Sequence, residues 1–269
     1  MNKTIGFIGC GNMAQAIIGG ILQSQLVSRS QIIASAKTVN TVSKVEETFG
    51  IRAVTDNCSV VRDADIIFLS IKPDHYLEII QEIKEAVKEE AVIVTIAAGI
   101  TLDWMVEQFQ KQVKVVRTMP NTPSLVGEGM TAFCVNQYVE ETDLHTIIEI
   151  LESFGKSQLV EENLMDAIPA VSGSSPAYVF MFIEALADGA VLQGVPREKA
   201  YTLASQAVLG AAKMVLETGE HPGVLKDGVC SPGGATIEAV SSLEKNQFRG
   251  AILKAMEECT KKTKQLAQQ

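Results

Sequence analysis

The chain has 269 residues, of which 46% are hydrophobic, and a formal net charge of −9. This length suits one large or two ordinary domains, and we expect two. The acidic balance, with no basic run to offset it, disfavours a nucleic acid or an anionic membrane as partner. Five cysteines without a CxxC pair indicate a reducing compartment such as the cytoplasm. The three histidines are far apart in sequence, so we predict no metal site.

The N-terminus leads directly into an apolar strand pattern, and we therefore expect no cleavable signal peptide. The longest apolar helical stretch, residues 177–192, carries Glu184 and Asp188 and is short for a membrane span. We predict that it is a buried helix of a protein without membrane partners.

The first elements in the chain are a short strand, a glycine turn and a helix. Residues 5–8 form an apolar run that breaks at Gly9 and Gly11, and an apolar helical stripe begins at Met13. With Ala14 this gives the GxGxxA pattern of a dinucleotide-binding turn, whose helix amides attract a pyrophosphate. The alternative is a glycine turn that binds no ligand.

Strand and helix patterns then alternate through the first half of the chain. The predicted strands are residues 5–8, 31–34, 51–54, 65–71, 91–96, 113–117 and 130–135. Helices are predicted at residues 39–49 and 77–87 and at 104–109, the last with Thr101 as its N-cap. The alternation predicts an α/β fold, a Rossmann-like dinucleotide-binding domain over residues 1–160 with its cleft beyond the carboxyl ends of the strands.

From about residue 161 only helical patterns remain. Helices are predicted from Ser175, from Pro196 to about residue 217, and over residues 236–269. Residues 161–269 are therefore expected to form an all-helical C-terminal domain that dimerises. Because the helix from Ala177 is apolar on most sides, we expect a partner subunit to cover it.

The end of the second predicted strand indicates which dinucleotide binds. NAD-binding folds place a carboxylate about 20 residues after the glycine turn, but here the chain reads Ser35-Ala36-Lys37-Thr38. Lys37 with the hydroxyls of Ser35 and Thr38 can hold a 2′-phosphate, which favours NADPH over NADH. The alternative is that Lys37 is only a solvated residue at a helix entrance.

A second glycine-rich turn lies in the helical half, where residues 231–236 read SPGGAT. The turn made by Pro232, Gly233 and Gly234 exposes backbone amides, and Thr236 starts a helix. Such a turn can bind a carboxylate through amides rather than basic side chains. A loop that merely joins two helices is the alternative.

Four segments together resemble the pyrroline-5-carboxylate reductase family. They read GFIGCGNMAQAI from Gly6, VVRTMPNTPSLVGEGMTA from Val115, SGSSPAYVFMFIEALADG from Ser172 and SPGGATIEAVSSLE from Ser231. The resemblance implies reduction of the cyclic imine 1-pyrroline-5-carboxylate to L-proline with NAD(P)H, the last step of proline biosynthesis.

The resemblance also implies which residues bind the ligands. Cofactor contacts fall on Gly9, Gly11, Asn12, Met13, Asn57, Lys72, Ala97, Ala98 and Gly99, and substrate contacts on Ser231, Gly234, Ala235, Thr236 and Glu162. Gly228 stands where relatives often have Asn, which puts one cofactor contact across the subunit boundary in doubt.

Three interpretations remain open at this point. Two roles are open for Met119, Pro120 and Asn121, which form either the floor of the nicotinamide pocket or a rigid connector. A β-hydroxyacid dehydrogenase would share the domain order, but the helix from Ser175 offers no lysine to carry the hydroxyl proton. A non-catalytic NADPH sensor is the other rival.

We hypothesise that the catalytic residue is Thr236, which hydrogen-bonds the ring nitrogen.

Overall fold

The computed structural model describes residues 1–266, which divide into two compact units. The first unit contains Met1–Ser174 and the chain from Cys259 onward, and the second contains Ser175–Glu258. The first unit extends beyond residue 160 because Met165 is buried in its core, with Val160 and Ile168 packed against the same cluster.

One mixed sheet organises the first unit. Its strands are β1 (Ile5–Ile8), β2 (Ile32–Ser35), β3 (Arg52–Val54), β4 (Ile66–Leu69), β5 (Val92–Thr95), β6 (Lys114–Met119), β7 (Gly129–Val135) and β8 (Gly155–Leu159). They lie in the order β3-β2-β1-β4-β5-β6-β7-β8. All neighbours are parallel except β6 and β7, which are antiparallel.

The antiparallel pair departs from the parallel pattern predicted from sequence. A parallel connection needs a crossover of a dozen or more residues, whereas β6 and β7 are joined by a short link containing the 3₁₀ turn Thr122–Val126. The chain therefore reverses instead of crossing over. The predicted strand at residues 5–8 is confirmed with the same bounds.

Helices cover both faces of this sheet. They are α1 (Asn12–Gln23), α2 (Val39–Phe49), α3 (Asn57–Asp63), α4 (Tyr76–Ile83), α5 (Leu102–Phe109) and α6 (Glu141–Glu152). One core cluster joins β1 to α1, α2 and α6, and the other joins the opposite face to α3, α4 and α5. In the first cluster Phe7 and Phe68 stack with ring centroids 4.9 Å apart, which contributes about 0.5–1.5 kcal/mol beyond burial.

The second unit is helical, as predicted. It contains α7 (Ser175–Leu192), α8 (Arg197–Thr218), α9 (Pro222–Val229), α10 (Ala235–Lys245) and the first part of α11 (Phe248–Leu266). The helices α7 and α8 pack against each other, and the Asp188 carboxylate pairs with the Arg197 guanidinium between them.

The apolar helix α7 is exposed within a single chain. Ala187 is its one buried residue in the described structure, whereas Phe180 and Met181 are 62% and 69% exposed. The prediction that it is a buried helix is therefore wrong for one chain taken alone, because α8 covers only part of its surface. Pro169–Leu192 also has the length and composition of a membrane span, a test that the core helix of a soluble protein passes equally well.

Candidate active site

The glycine turn after β1 leaves room for a ligand at one position and none at the other. Gly9 has φ +85°, and a Cβ there would lie 2.7 Å from the Ser70 carbonyl oxygen. A Cβ at Gly11 would meet no heavy atom of the described chain within 4 Å. Gly11 is also the N-cap of α1 and makes no side-chain cap there among the described residues. The first-turn amides of α1, beginning at Asn12 and Met13, are thus available to an anion.

A cleft of about 560 Å³ opens at the carboxyl ends of β1, β2 and β4. This is the point where the strand order reverses, the usual ligand site of such sheets. Four predicted cofactor residues line it, namely Gly9, Lys37, Asn57 and Lys72. The fold therefore brings together residues that are far apart in sequence.

The cleft also contains acidic groups that the sequence did not reveal. The segment Ser35–Thr38 after the second strand contains no carboxylate, but Glu78 and Glu82 line the same cleft as Lys37. Both belong to α4, more than 40 residues further along the chain, so spacing from the glycine turn could not detect them. His75 also lines the cleft.

The side chain of Asn57 is held in one orientation. The buried Ser35 hydroxyl donates to Asn57 Oδ1 at 2.7 Å, and Asn57 Nδ2 donates to Glu82 Oε2 at 3.0 Å. Ser35 is 1% exposed. Its hydroxyl therefore orients a residue that lines the cleft, while Lys37 lines the cleft itself.

The predicted cofactor residues that remain follow the next two strands of the sheet. Ala97, Ala98 and Gly99 come after β5, where the Ala97 amide donates to Thr95 Oγ1 at 3.3 Å. Met119 ends β6, and Pro120 follows it. Asn121 is buried: its Nδ2 donates to the Ser172 carbonyl oxygen, and its Oδ1 accepts the Met130 amide, both at 2.9 Å. These bonds favour the connector interpretation for Asn121.

Glu162 takes part in an ion-pair network of the first unit. Its Oε1 accepts from the Leu102 amide at 2.8 Å and from Arg117 Nη1 at 3.2 Å. Arg117 is 4% exposed and also donates to Asp166 Oδ1 at 2.9 Å. One carboxylate oxygen of Glu162 is therefore engaged by protein donors, and substrate contact by this residue stays a prediction.

In the second unit, the predicted substrate residues form one exposed turn. The Gly234 amide donates to the Ser231 carbonyl oxygen at 3.0 Å, and Gly233 has φ +66°. A Cβ at Gly234 would approach Ser231 Oγ to 2.5 Å, so a larger residue there would require the Ser231 side chain to move. Gly234 is the N-cap of α10 and has no side-chain cap in the described structure. The α10 amides, beginning at Ala235 and Thr236, thus face outward from an uncapped helix start.

Potential metal ligands cluster near α3 and α4, and a cysteine thiol lies beside the glycine turn. In the described part of the chain, Asp56, Cys58 and Glu82 bring ligand atoms within 4.8 Å of one another. Asp56 caps α3 through the Cys58 amide, and Glu82 accepts from Asn57, so these carboxylates have structural roles. Burial raises the pKa of the Cys10 thiol to about 11, which keeps it protonated beside the glycine turn.

The fold and the site together define an oxidoreductase of the dinucleotide-binding class. Its strand order through β6 is that of the Rossmann fold, and the cleft lies at its switch point. Residues 4–99 match the family described as NADP oxidoreductase, coenzyme F420-dependent, and residues 162–266 match the family described as pyrroline-5-carboxylate reductase dimerisation.

Relatives match along almost the entire chain. The pyrroline-5-carboxylate reductase of Escherichia coli (strain K12) is 48% identical over 267 residues, covering 99% of each protein. That of Methanosarcina acetivorans is 40% identical, covering 98% of each. The crystal structure of Plasmodium falciparum pyrroline carboxylate reductase with NADP bound has a TM-score of 0.89 at 32% identity, covering 99% of this chain and 98% of that one. This chain belongs to the pyrroline-5-carboxylate reductase family.

Proposed function

We propose that this protein reduces 1-pyrroline-5-carboxylate to L-proline with NADPH, the final step of proline biosynthesis. The observation that carries the proposal is the cleft at the carboxyl ends of β1, β2 and β4. It lies in a chain that matches a pyrroline-5-carboxylate reductase along almost its entire length. NADPH is the preferred cofactor, and NADH serves less well. The functional division follows the predicted domains: residues 1–160 bind the dinucleotide, and residues 161–269 bind substrate and dimerise.

The residues of the cleft fit a dinucleotide phosphate. The open space beside Gly11 and the uncapped start of α1 suit a pyrophosphate. Lys37 and Lys72 supply positive charge in the same cleft, and Lys37 takes the 2′-phosphate. Asn57, already oriented by Ser35 and Glu82, presents its remaining donor to the cofactor. The residues that hold the nicotinamide end are Ala97, Ala98, Gly99, Met119 and Pro120.

The turn at residues 231–236 binds the substrate. The amides of Gly234 and Ala235 and the hydroxyl of Ser231 bind the carboxylate, because uncapped amides at a helix start favour an anion. Thr236 hydrogen-bonds the ring nitrogen as it becomes an amine, and Glu162 completes the pocket rim. A protonated imine is already an electrophile, so these residues mainly orient it and exclude water. When bound, NADPH supplies the hydride.

The active protein is a cytoplasmic homodimer with its active sites near the subunit boundary, and such dimers can assemble further. The exposed apolar surface of α7 supports association, since large exposed apolar patches mark interaction sites. The match of residues 162–266 to a dimerisation family supports it as well.

A steady-state comparison tests the proposed reaction. Purified protein is given NADPH or NADH with pyrroline-5-carboxylate or its six-membered analogue, and cofactor absorbance is followed. We expect fastest turnover with NADPH and the five-membered imine. NADPH binding without oxidation would favour a sensor, whereas oxidation only with a β-keto acid would favour a hydroxyacid dehydrogenase.

Thr236→Ala tests the assigned catalytic residue. Loss of a hydrogen bond to a charged group costs about 1.5–3 kcal/mol, so turnover should fall about ten- to hundredfold while the fold persists. Thr236→Ser, which keeps the hydroxyl, is the matched control and should restore most activity. Unchanged turnover in folded Thr236→Ala would remove the residue from the mechanism.

A further inference from the structure

A chain of buried hydroxyl groups connects the carboxyl ends of β4 and β5. Tyr76, the first residue of α4, donates from its phenol to the Leu69 carbonyl oxygen at 2.7 Å. The same Oη lies 2.8 Å from Thr95 Oγ1, which also accepts the Ala97 amide at 3.3 Å. Because the single phenol proton goes to Leu69, Thr95 must donate to Tyr76.

Both side chains are completely buried, since Tyr76 and Thr95 are each 0% exposed. Burial raises the pKa of the Tyr76 phenol far above its ordinary value, although its hydrogen-bond partners act in the opposite sense. The phenol therefore stays a donor at every physiological pH. Hydrogen bonds in such surroundings polarise one another, and a lost partner leaves a buried polar group unsatisfied.

The two ends of this hydrogen-bond chain are the Leu69 carbonyl and the Ala97 amide, and each lies beside a loop assigned to the cofactor site. Leu69 directly precedes Ser70, Ile71 and Lys72, which line the cleft. Ala97 begins the loop of residues 97–99 after β5. A shift of either backbone by a few tenths of an ångström would change the donors and the space offered to a ligand there. The hydroxyl chain fixes the backbone at both points.

We propose that Tyr76 and Thr95 are positioning residues that hold the loops after β4 and β5 in the arrangement that binds NADPH. The identity of the cofactor rests on the proposed function. Neither side chain is assigned a contact with substrate or cofactor; each acts through the backbone to which it is hydrogen-bonded.

The test measures NADPH binding to the full-length protein by fluorescence titration. Thr95→Val removes the hydroxyl with almost no change of shape and should raise the Kd for NADPH about five- to tenfold, as expected for one buried group left unpaired. Tyr76→Phe should do the same. Thr95→Ser keeps the hydroxyl and should return the Kd to within about twofold of wild type. The KM for the imine at saturating NADPH should be unchanged in all three.

Thr131→Val is the matched control. Thr131 lies on β7 and is 1% exposed, and its hydroxyl has no hydrogen-bond partner among the described atoms. Thr131→Val removes a hydroxyl oxygen from an equally buried site, as Thr95→Val does, but breaks no hydrogen bond among the described atoms. The Kd for NADPH should therefore not change. Thermal unfolding of every variant separates loss of binding from loss of fold.

Each result decides between the proposals. If folded Thr95→Val binds NADPH as tightly as Thr131→Val does, the positioning role is overturned and the proposed reaction is unaffected. If Tyr76→Phe does not fold, the comparison of Thr95→Val with Thr95→Ser gives the answer. A wild-type protein that fails to bind NADPH overturns the proposed function and the positioning role together.

Discussion

A methyl group would clash with the protein at Gly9 but would enter open space at Gly11. Substitution at Gly9 should therefore affect folding, and substitution at Gly11 should affect binding. At Gly11 a Cβ enters open space and φ is an ordinary −74°. Gly11→Ala should therefore unfold at the wild-type urea concentration but bind NADPH at least about tenfold more weakly, because the methyl group occupies the space proposed for the pyrophosphate. Wild-type affinity in this variant would contradict that placement.

Gly9→Ala is the counterpart. Its φ of +85° and the 2.7 Å approach to Ser70 predict a loss of stability on the order of 1–3 kcal/mol, measured by urea unfolding. The pair thus tests two uses of glycine within three residues.

Lys37 carries the argument for NADPH. Lys37→Ala should raise the Kd for NADPH about tenfold, since a charge-assisted hydrogen bond to the 2′-phosphate is lost, and should leave the Kd for NADH within about twofold. Lys44→Ala removes an exposed lysine from α2 and controls for net charge. An equal loss of both cofactors in Lys37→Ala would point to a general electrostatic effect.

The glycine turn, Lys37 and the SPGGAT turn could be predicted because each is a local pattern. Glu82 and Tyr76 could not, since their importance depends on α4 packing beside the ends of β4 and β5. No sequence spacing encodes that neighbourhood. The hydrogen bonds of Asn57 with Ser35 and Glu82 likewise form only when the elements that carry these residues lie side by side.

At the scale of elements, Asp65 ties the start of β1 to the segment before β5. Its Oδ2 accepts the Thr4 amide at 2.8 Å, and its Oδ1 pairs with Lys88 Nζ at 2.9 Å. Burial raises the pKa of Asp65, but these two hydrogen bonds and the charges of Lys88 and Lys3 outweigh burial, so the pKa lies below its ordinary value.

The pH dependence follows from that direction. A carboxyl whose pKa is lower when folded stabilises fully above its ordinary pKa, about 3.9, and loses the contribution as pH falls through the folded value. Wild type should exceed Asp65→Asn in unfolding free energy at neutral pH, and the difference should shrink below about pH 4. Urea titrations at several pH values measure it, and a gap independent of pH would exclude the carboxylate as its source.

Most elements of the sheet follow from buried apolar runs, and α2 has the same bounds as predicted. The strand β8 was missed because its sequence GKSQL is polar and partly exposed at the sheet edge. The short helix α3 was missed for lack of length. The helix α6 carries an apolar stripe and a capping box between Glu140 and Asp143, so its sequence does contain the signal for a helix.

At the scale of the whole molecule, we propose that the exposed surface of α7 takes part in assembly. Met181 is 69% exposed in one chain, so Met181→Lys places a charge on this apolar surface and should shift the protein toward monomer in sedimentation experiments. Gln23→Lys, on an exposed site of α1, adds the same charge and should leave the oligomer intact. Activity lost in parallel with assembly would support active sites near the subunit boundary, and an unaltered oligomer in Met181→Lys would exclude this surface.

The central claim is that the first unit binds reduced nicotinamide and the turn at residues 231–236 presents a cyclic imine for reduction. The most direct measurement is transfer of label from NADPH that carries deuterium in place of both hydrogens at C4 of the nicotinamide, with the product analysed by mass spectrometry. The account predicts proline carrying one deuterium on the carbon that was doubly bonded to nitrogen. Unlabelled proline, or no proline while the protein remains folded and saturated with both ligands, would contradict it.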